Sequence, residues 1–311
     1  AIKGKDNVNI FVLHPNNRVS HVQRKLMTTG KEKNVFNIAI EGNFDDCQNL
    51  VKEMFADKHF ANEIKMSGVN SINWARIIAQ SVYYFYSYFL IEEKNMPINF
   101  SVPTGNFGDV YAGYLAKKMG LPINKFVVAT NQNDILHRAI SKGTYNVEKV
   151  SETVSPSMDI QIASNFERLI YDLNNCNDSK TINAMKDIKE KGKYLINKEN
   201  LDKINIDFLS SQMGEDETLK TIKSVYEKFN IVLDPHTAIG YGAFDKVNLK
   251  GNNIVLATAH PCKFPDAIKR SININAKLPD ELSFIMKEKE DYDILENNLE
   301  KIKQHIKDRI L

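Results

Sequence analysis

Short β-type runs and helical patterns alternate along this chain, and that alternation limits the fold more than any other feature. Val8–Leu13 (VNIFVL) reads as a strand, and Ser20–Thr28 as a helix with Ser20 at its N-cap. Val35–Ile40 (VFNIAI) is a second strand. Asp45–Phe55 is an amphipathic helix with Leu50, Val51 and Met54 on one face. The rhythm resumes with a long helix over about Ile72–Glu93, strand Ile98–Val102, helix Val110–Met119, strand Phe126–Thr130 and a helix from near Asn133. Strand–helix–strand order of this kind predicts parallel sheets flanked by helices, an α/β fold. Asn146–Pro156 is a polar connection. Residues 163–230 are rich in Lys, Glu and Asn at helical spacing and read as a helical insertion. Strand-like Ile231–Leu233, helix His236–Val247 and strand Ile254–Thr258 restore the pattern, and the tail 278–311 reads as two charged helices. We therefore expect a smaller lobe over 1–68 and a larger one over 69–311. A cleft between two such lobes is a common ligand site.

Composition removes several functions. The 311 residues are 42% hydrophobic and 26% charged with a net charge of +2, and no basic stripe interleaves with aromatics, so nucleic acid is a poor partner. The most apolar run, Ser81–Ile91 (SVYYFYSYFLI), is too short for a bilayer, which needs about 20 apolar residues. AIKGKDNVNIF has no apolar core of a signal peptide. Cys47, Cys176 and Cys262 are odd in number and widely spaced, as expected of reduced thiols in a cytoplasmic protein. The seven histidines show no HxxxH or HExxH spacing, so no metal is expected.

Three clusters carry chemistry. In SVPTGNFGDV, Pro103 ends a strand, and Gly105 and Gly108 bracket a turn into a helix. Such a turn is either a plain connection or a place where the helix N-terminus receives a phosphate. It matches neither G-x-G-x-x-G, which sets aside a dinucleotide-binding dehydrogenase, nor the GK[ST] of a P-loop. In LATAHPCKF, Thr258 stands at a strand carboxyl end, where α/β sheets usually meet ligands. Its hydroxyl serves either a ring nitrogen or a neighbouring carbonyl. His260 reads as structural. In VNSINWAR, Asn70 or Ser71 is placed to cap the long helix. Arg76 lies in its first two turns, where a cation opposes the helix dipole; it faces either a substrate anion or a surface carboxylate.

Taken in order, GNFDDCQNLVK, NSINWARIIAQ, SVPTGNFGDVYAGYLAKKMGLP, ATNQND, DPHTAIGYGA and ATAHPCKF resemble the threonine synthase family of the bacterial and fungal, long type, from about Asn9 to Lys269. The resemblance implies a pyridoxal 5'-phosphate enzyme of fold type II, like tryptophan synthase β: two lobes, mostly parallel sheets and a helical insertion. Its reaction would convert O-phospho-L-homoserine and water to L-threonine and phosphate, the last step of threonine biosynthesis. It implies that Gly105, Asn106, Phe107, Gly108 and Asp109 hold the cofactor phosphate, with Thr104 in place of the more usual Ser, and that Thr258 stands beside the pyridine nitrogen. Ser71, Asn73 and Arg76 are the candidates for the substrate phosphate. The partner is a small molecule, and the protein is expected to be a monomer or homodimer.

Two family motifs are missing. The Schiff-base lysine of the family lies in an FKD motif, and an SGDTG-like loop takes the substrate carboxylate; neither occurs here, and Lys263-Phe264 has the opposite order. With no initiator Met, residue 1 reads as an internal position of a longer protein. No catalytic residue is expected in this chain, which alone is expected to be inactive and to leave an apolar face open. The alternatives are a threonine-synthase-like phospholyase, giving a keto acid, and a truncated homologue that binds phosphate or cofactor without turnover.

Overall fold

The computed structural model describes residues 4–30, 32–71 and 73–310. Ile72, where the long helix is expected to begin, lies outside the described residues, as do the first three residues and Leu311. The chain forms two compact units, one of residues 1–68 with 277–311 and one of residues 69–276.

The first unit holds strand β1 (Ile10–Pro15), helix α1 (His21–Thr28), β2 (Val35–Glu41), α2 (Phe44–Ala56) and α3 (Lys58–Glu63). Ser20 caps α1 by accepting from the Gln23 N–H. Asn43 and Asp46 form a reciprocal capping box on α2. β1 pairs with β2 in parallel.

The second unit starts with α4 (Trp74–Phe89), β3 (Ile98–Pro103), α5 (Gly108–Lys118), β4 (Ile123–Thr130), α6 (Ile135–Lys142) and β5 (Thr144–Asn146). It continues with α7 (Phe166–Leu173), α8 (Asp178–Lys191), β6 (Lys193–Leu195), α9 (Lys198–Asp207) and β7 (Phe208–Gln212). It closes with α10 (Glu215–Phe229), α11 (Pro235–Val247), β8 (Asn252–Val255) and α12 (Pro265–Ile272). A four-stranded parallel sheet runs β7-β4-β3-β8. β3 is central and buried along its whole length. INFSVP alternates apolar Ile98, Phe100 and Val102 with polar Asn99 and Ser101, yet both sets are buried, because helices cover both faces of a parallel sheet. Gly113 is small because a Cβ there would lie 2.5 Å from Tyr84 and 2.6 Å from Phe126, so α4 and α5 approach closely. On the other face, Ser101 donates its hydroxyl to the Gly240 carbonyl of α11 at 2.6 Å.

Three expectations need correction. The tail does not belong to the larger lobe and is not two helices. It supplies a 3₁₀ turn (Asp280–Met286), strand β9 (Asp293–Glu296) and helix α13 (Leu299–Lys307) to the first unit. β9 pairs in parallel with β2, and Ile302 and Ile306 join Ile38, Ile40 and Met54 in that unit's core. The acids at both ends of DILE hid the strand, because β9 lies at a sheet edge with its side chains largely exposed. Residues 163–230 are not purely helical, because β7 is an edge strand of the main sheet paired with β4. The strand expected at Ile231–Leu233 is absent; it is a connection between α10 and α11. Asn230, in the left-handed conformation, ends α10 there.

Among the described residues no helix is long and apolar enough to cross a membrane. All three cysteines are unpaired.

Candidate functional site

The turn after β3 is built by packing, not by glycine flexibility. Neither Gly105 nor Gly108 has positive φ; the left-handed residue is Phe107, at φ 64°. A non-glycine residue holds that conformation only where its surroundings compel it. Here the Phe107 ring is fully buried, edge-on to Phe166 at 5.2 Å and 6.0 Å from Phe208. The glycines matter for space. A Cβ on Gly105 would sit 2.6 Å from the Ser157 carbonyl oxygen, and one on Gly108 would sit 3.1 Å from both Asn165 and Ile77. Side chains lace the loop further. Thr104, itself 3% exposed, donates its hydroxyl to the Asp109 carboxylate and accepts from the Phe107 N–H at 3.2 Å. Asn165 donates through its backbone N–H to the Asn106 carbonyl at 3.1 Å, and Ser164 donates its hydroxyl to the Asn106 side chain at 3.1 Å.

What remains is an anion-binding geometry. Helix α5 opens into the loop, and its first N–H groups have no partner inside the helix. Among the described residues, none of the loop's hydrogen bonds uses the N–H of Gly105, Asn106 or Gly108. Asp109 stands in the same first turn. Burial pushes its carboxyl up to about 6, against the pull of the Thr104 hydroxyl and the Val110 N–H.

The second strand end is looser. Thr258 is exposed and follows β8 in an irregular segment. Its N–H donates to the Thr237 hydroxyl at 3.3 Å, and Thr237 in turn donates to Asp234. Asp234, 1% exposed, is the N-cap of α11 and accepts from the N–H groups of His236 and Thr237. The ring of His236, 4% exposed, places Nδ1 3.1 Å from the Asp234 carboxylate and lies against Phe264, with 4.8 Å between centroids.

These elements line one cavity of about 310 Å³, entirely within the second unit. Of the residues singled out from the sequence it gathers Ser71, Arg76, Thr104, Gly105, Asn106, Gly108, Asp109 and Thr258, and it adds Gln80, Ser157 and His236. Asn73 and the Phe107 side chain are not among its walls. Asn73 is the N-cap of α4, accepting from the Ala75 N–H at 2.9 Å, so the capping role expected of Asn70 or Ser71 belongs to it. Arg76 lines the cavity from an exposed position and donates to the Val69 carbonyl at 2.8 Å; among the described residues no carboxylate pairs with it. A larger hollow of about 730 Å³, lined by Trp74, Tyr145 and Arg168, contains none of the glycine loop.

A solved structure, that of pyridoxal-phosphate-bound threonine synthase from Brucella melitensis, superposes on 99% of this chain and 67% of its own, with a TM-score of 0.95 and 45% identity. The chain belongs to the threonine synthase family. The yeast threonine synthase structure gives a TM-score of 0.91 at 39% identity over 99% of this chain and 66% of its own. Threonine synthase of Pseudomonas aeruginosa is 44% identical over 97% of this chain, which spans 65% of that protein's length. The family model described as threonine synthase, C-terminal, matches residues 237–306. The α/β architecture with mainly parallel sheets is therefore that of the threonine synthases, the fold type expected from the resemblance.

Within this family frame, the residues that sequence reasoning passed over are Asp234 and His236. Asp-Pro ahead of a helical pattern is a cap-and-first-turn signal. It explains Asp234, but nothing in the spacing shows that the cap also grips an imidazole beside the cavity.

Proposed function

We propose that the protein is a threonine synthase, converting O-phospho-L-homoserine and water to L-threonine and phosphate with pyridoxal 5'-phosphate. The observation that carries this reading is the coincidence of two things. One is a helix-terminus loop, TGNFG, facing a hydroxyl at a second strand end across one cavity. The other is close similarity over nearly the whole chain to a structure described as pyridoxal-phosphate-bound.

The residues present fit that cofactor. The N–H groups of Gly105, Asn106 and Gly108 at the start of α5 suit a phosphate dianion, which the helix dipole also favours. Phe107 contributes by its backbone turn, with its ring anchoring the loop from behind. Asp109 orients Thr104 and places a titratable proton beside the anion. Thr258 offers a neutral hydroxyl to a ring nitrogen. A neutral partner, unlike a carboxylate, does not hold that nitrogen protonated. When bound, pyridoxal phosphate supplies the electron sink needed to remove protons from the amino-acid substrate. Ser71 and Arg76 would meet the substrate phosphate. Asn73, spent on the cap of α4, would position Arg76 and not touch the ligand.

No lysine of the 311 residues stands in an FKD sequence. We take the covalent step to need a residue outside this set, so that the 311-residue chain alone binds without turning over. A cytoplasmic setting and a monomeric or homodimeric state belong to the same reading.

The test is an assay of the full reading frame with O-phosphohomoserine, following phosphate and threonine together. Equal release of both is expected. Phosphate with a keto acid and no threonine would replace the synthase by a phospholyase. No phosphate release and no visible absorbance from added pyridoxal phosphate would overturn the enzymatic reading.

A further inference from the structure

His236 is not explained by the fold or by any role given so far. The ring is buried and lines the cavity that holds the glycine loop. Its Nδ1 faces the Asp234 carboxylate at 3.1 Å. Asp234 accepts at every contact: from two backbone N–H groups at the start of α11 and from the Thr237 hydroxyl. A carboxylate so placed accepts from Nδ1 as well, which puts a ring proton on Nδ1; in the neutral imidazole Nε2 is then a lone-pair acceptor. That Nε2 is buried and has no hydrogen-bond partner among the described residues. Buried polar atoms are almost always satisfied, so an unsatisfied one in a ring that lines a cavity asks for a partner supplied by the cavity's occupant. Phe264 against the ring face and Asp234 at Nδ1 limit rotation to any other acceptor or donor.

We propose that His236 is a ligand-contacting residue: Nε2 accepts a hydrogen bond from a proton-bearing group, a hydroxyl or an ammonium, of the phosphorylated ligand bound over Thr104–Asp109. This rests on the cofactor reading above and adds to it an Asp234–His236 pair as a wall of the same site. The pair is coupled to the opposite end of the ligand, because Thr237 links Asp234 to the Thr258 N–H.

The probe is pyridoxine 5'-phosphate, which has no aldehyde and so cannot form imines with surface lysines. Binding to the protein, freed of any cofactor, is measured by calorimetry beside inorganic phosphate. His236→Ala should weaken pyridoxine phosphate about tenfold, the size of one lost hydrogen bond. His236→Gln, which keeps an acceptor, should lose less than about threefold by the same measure. Inorganic phosphate should bind all three proteins alike. Because an alanine at a buried site can also unsettle the fold, a second readout uses the unaltered protein. With ¹⁵N-labelled histidine, the His236 Nε2 resonance should move on adding pyridoxine phosphate and stay in place with inorganic phosphate. Equal affinities of wild type and His236→Ala, or an unmoved Nε2 resonance in a saturated protein, overturns the inference and leaves the cofactor reading standing. No binding of pyridoxine phosphate to the wild-type protein sinks both.

Discussion

The two strand ends that face the cavity are built in opposite ways. After β3, the loop from Thr104 to Asp109 is buried at Thr104, Phe107 and Gly108 and half-buried at the other three residues, held by a left-handed Phe107, and crossed by hydrogen bonds from Asn165, Ser164 and Thr104. After β8, Thr258 is exposed, and the hydrogen bond from its own N–H runs to Thr237. An end that must present several N–H groups to one anion needs each of them at a set position, and only core packing fixes a backbone so closely. An end that offers one rotatable hydroxyl to one ring atom does not. The difference implies that damage to the first end registers as lost stability and damage to the second as lost affinity.

The largest test of that contrast is Phe107→Ala. Removing a fully buried ring that contacts Phe166 and Phe208 should cost about 3–4 kcal/mol in chemical denaturation. A loss below 1 kcal/mol would mean that the ring does not hold the turn. Asp109 comes next. Its carboxyl is raised from 3.8 to about 6, so folding favours the protonated form. The stability this gives is complete below the unfolded value and disappears as pH rises through about 6. Relative to Asp109→Asn, the wild type should therefore lose about 2–3 kcal/mol between pH 3.5 and 7.5. Parallel pH profiles of the two proteins would show that Asp109 is not desolvated.

Gly105→Ala should cost about 1–3 kcal/mol, because the new methyl meets a backbone carbonyl at 2.6 Å that cannot swing aside. It should also weaken pyridoxine phosphate binding by calorimetry. Asn73→Ala removes the cap of α4 and should cost about 1 kcal/mol in thermal unfolding. A further drop in phosphate affinity beyond that of an α4 surface control would return Asn73 to the ligand. Smallest in stability, Thr258→Ala should change it by less than about 0.5 kcal/mol while lowering pyridoxine phosphate affinity severalfold. A Thr258→Ala protein that melts early but binds normally would reverse the proposed division between the two ends.

α4 offers a different comparison within one helix. Ile77, Ser81 and Tyr84 are buried against the second unit, and Tyr84 donates its hydroxyl to the Asp109 carbonyl at 2.7 Å. Trp74, Ile78, Val82, Tyr86 and Phe89, at intervals of three to four residues, are exposed. The run SVYYFYSYFLI therefore reads as buried on one side only, which hydropathy alone does not resolve. Ile77, ahead of the tyrosine-rich run, and Tyr84 within it both reach the glycine loop.

The strand and helix order of this protein was set by local periodicity. The apolar run FVVA marks β4 because a parallel strand is covered on both faces, and Ser20, Asn43 and Asp234 mark helix starts through their own side chains. That the glycine loop and Thr258 line one cavity matches their place after strands in the sequence, since glycine and threonine at strand ends carry a local constraint. Membership of strands in sheets was not local. β7 and β9 look polar because each lies at a sheet edge, and only their pairing with β4 and β2 makes them strands. Nor was the role of the glycines. Gly105 is required by Ser157 and Gly108 by Asn165 and Ile77, residues distant in sequence, while the turn itself falls to Phe107 because Phe166 and Phe208 surround its ring. An imidazole with one nitrogen gripped and the other unpartnered is likewise invisible in DPHTAIG. It exists only because folding buries His236 beside a cavity whose other walls come from distant chain segments, among them residues 71–80, 103–109 and 157–158.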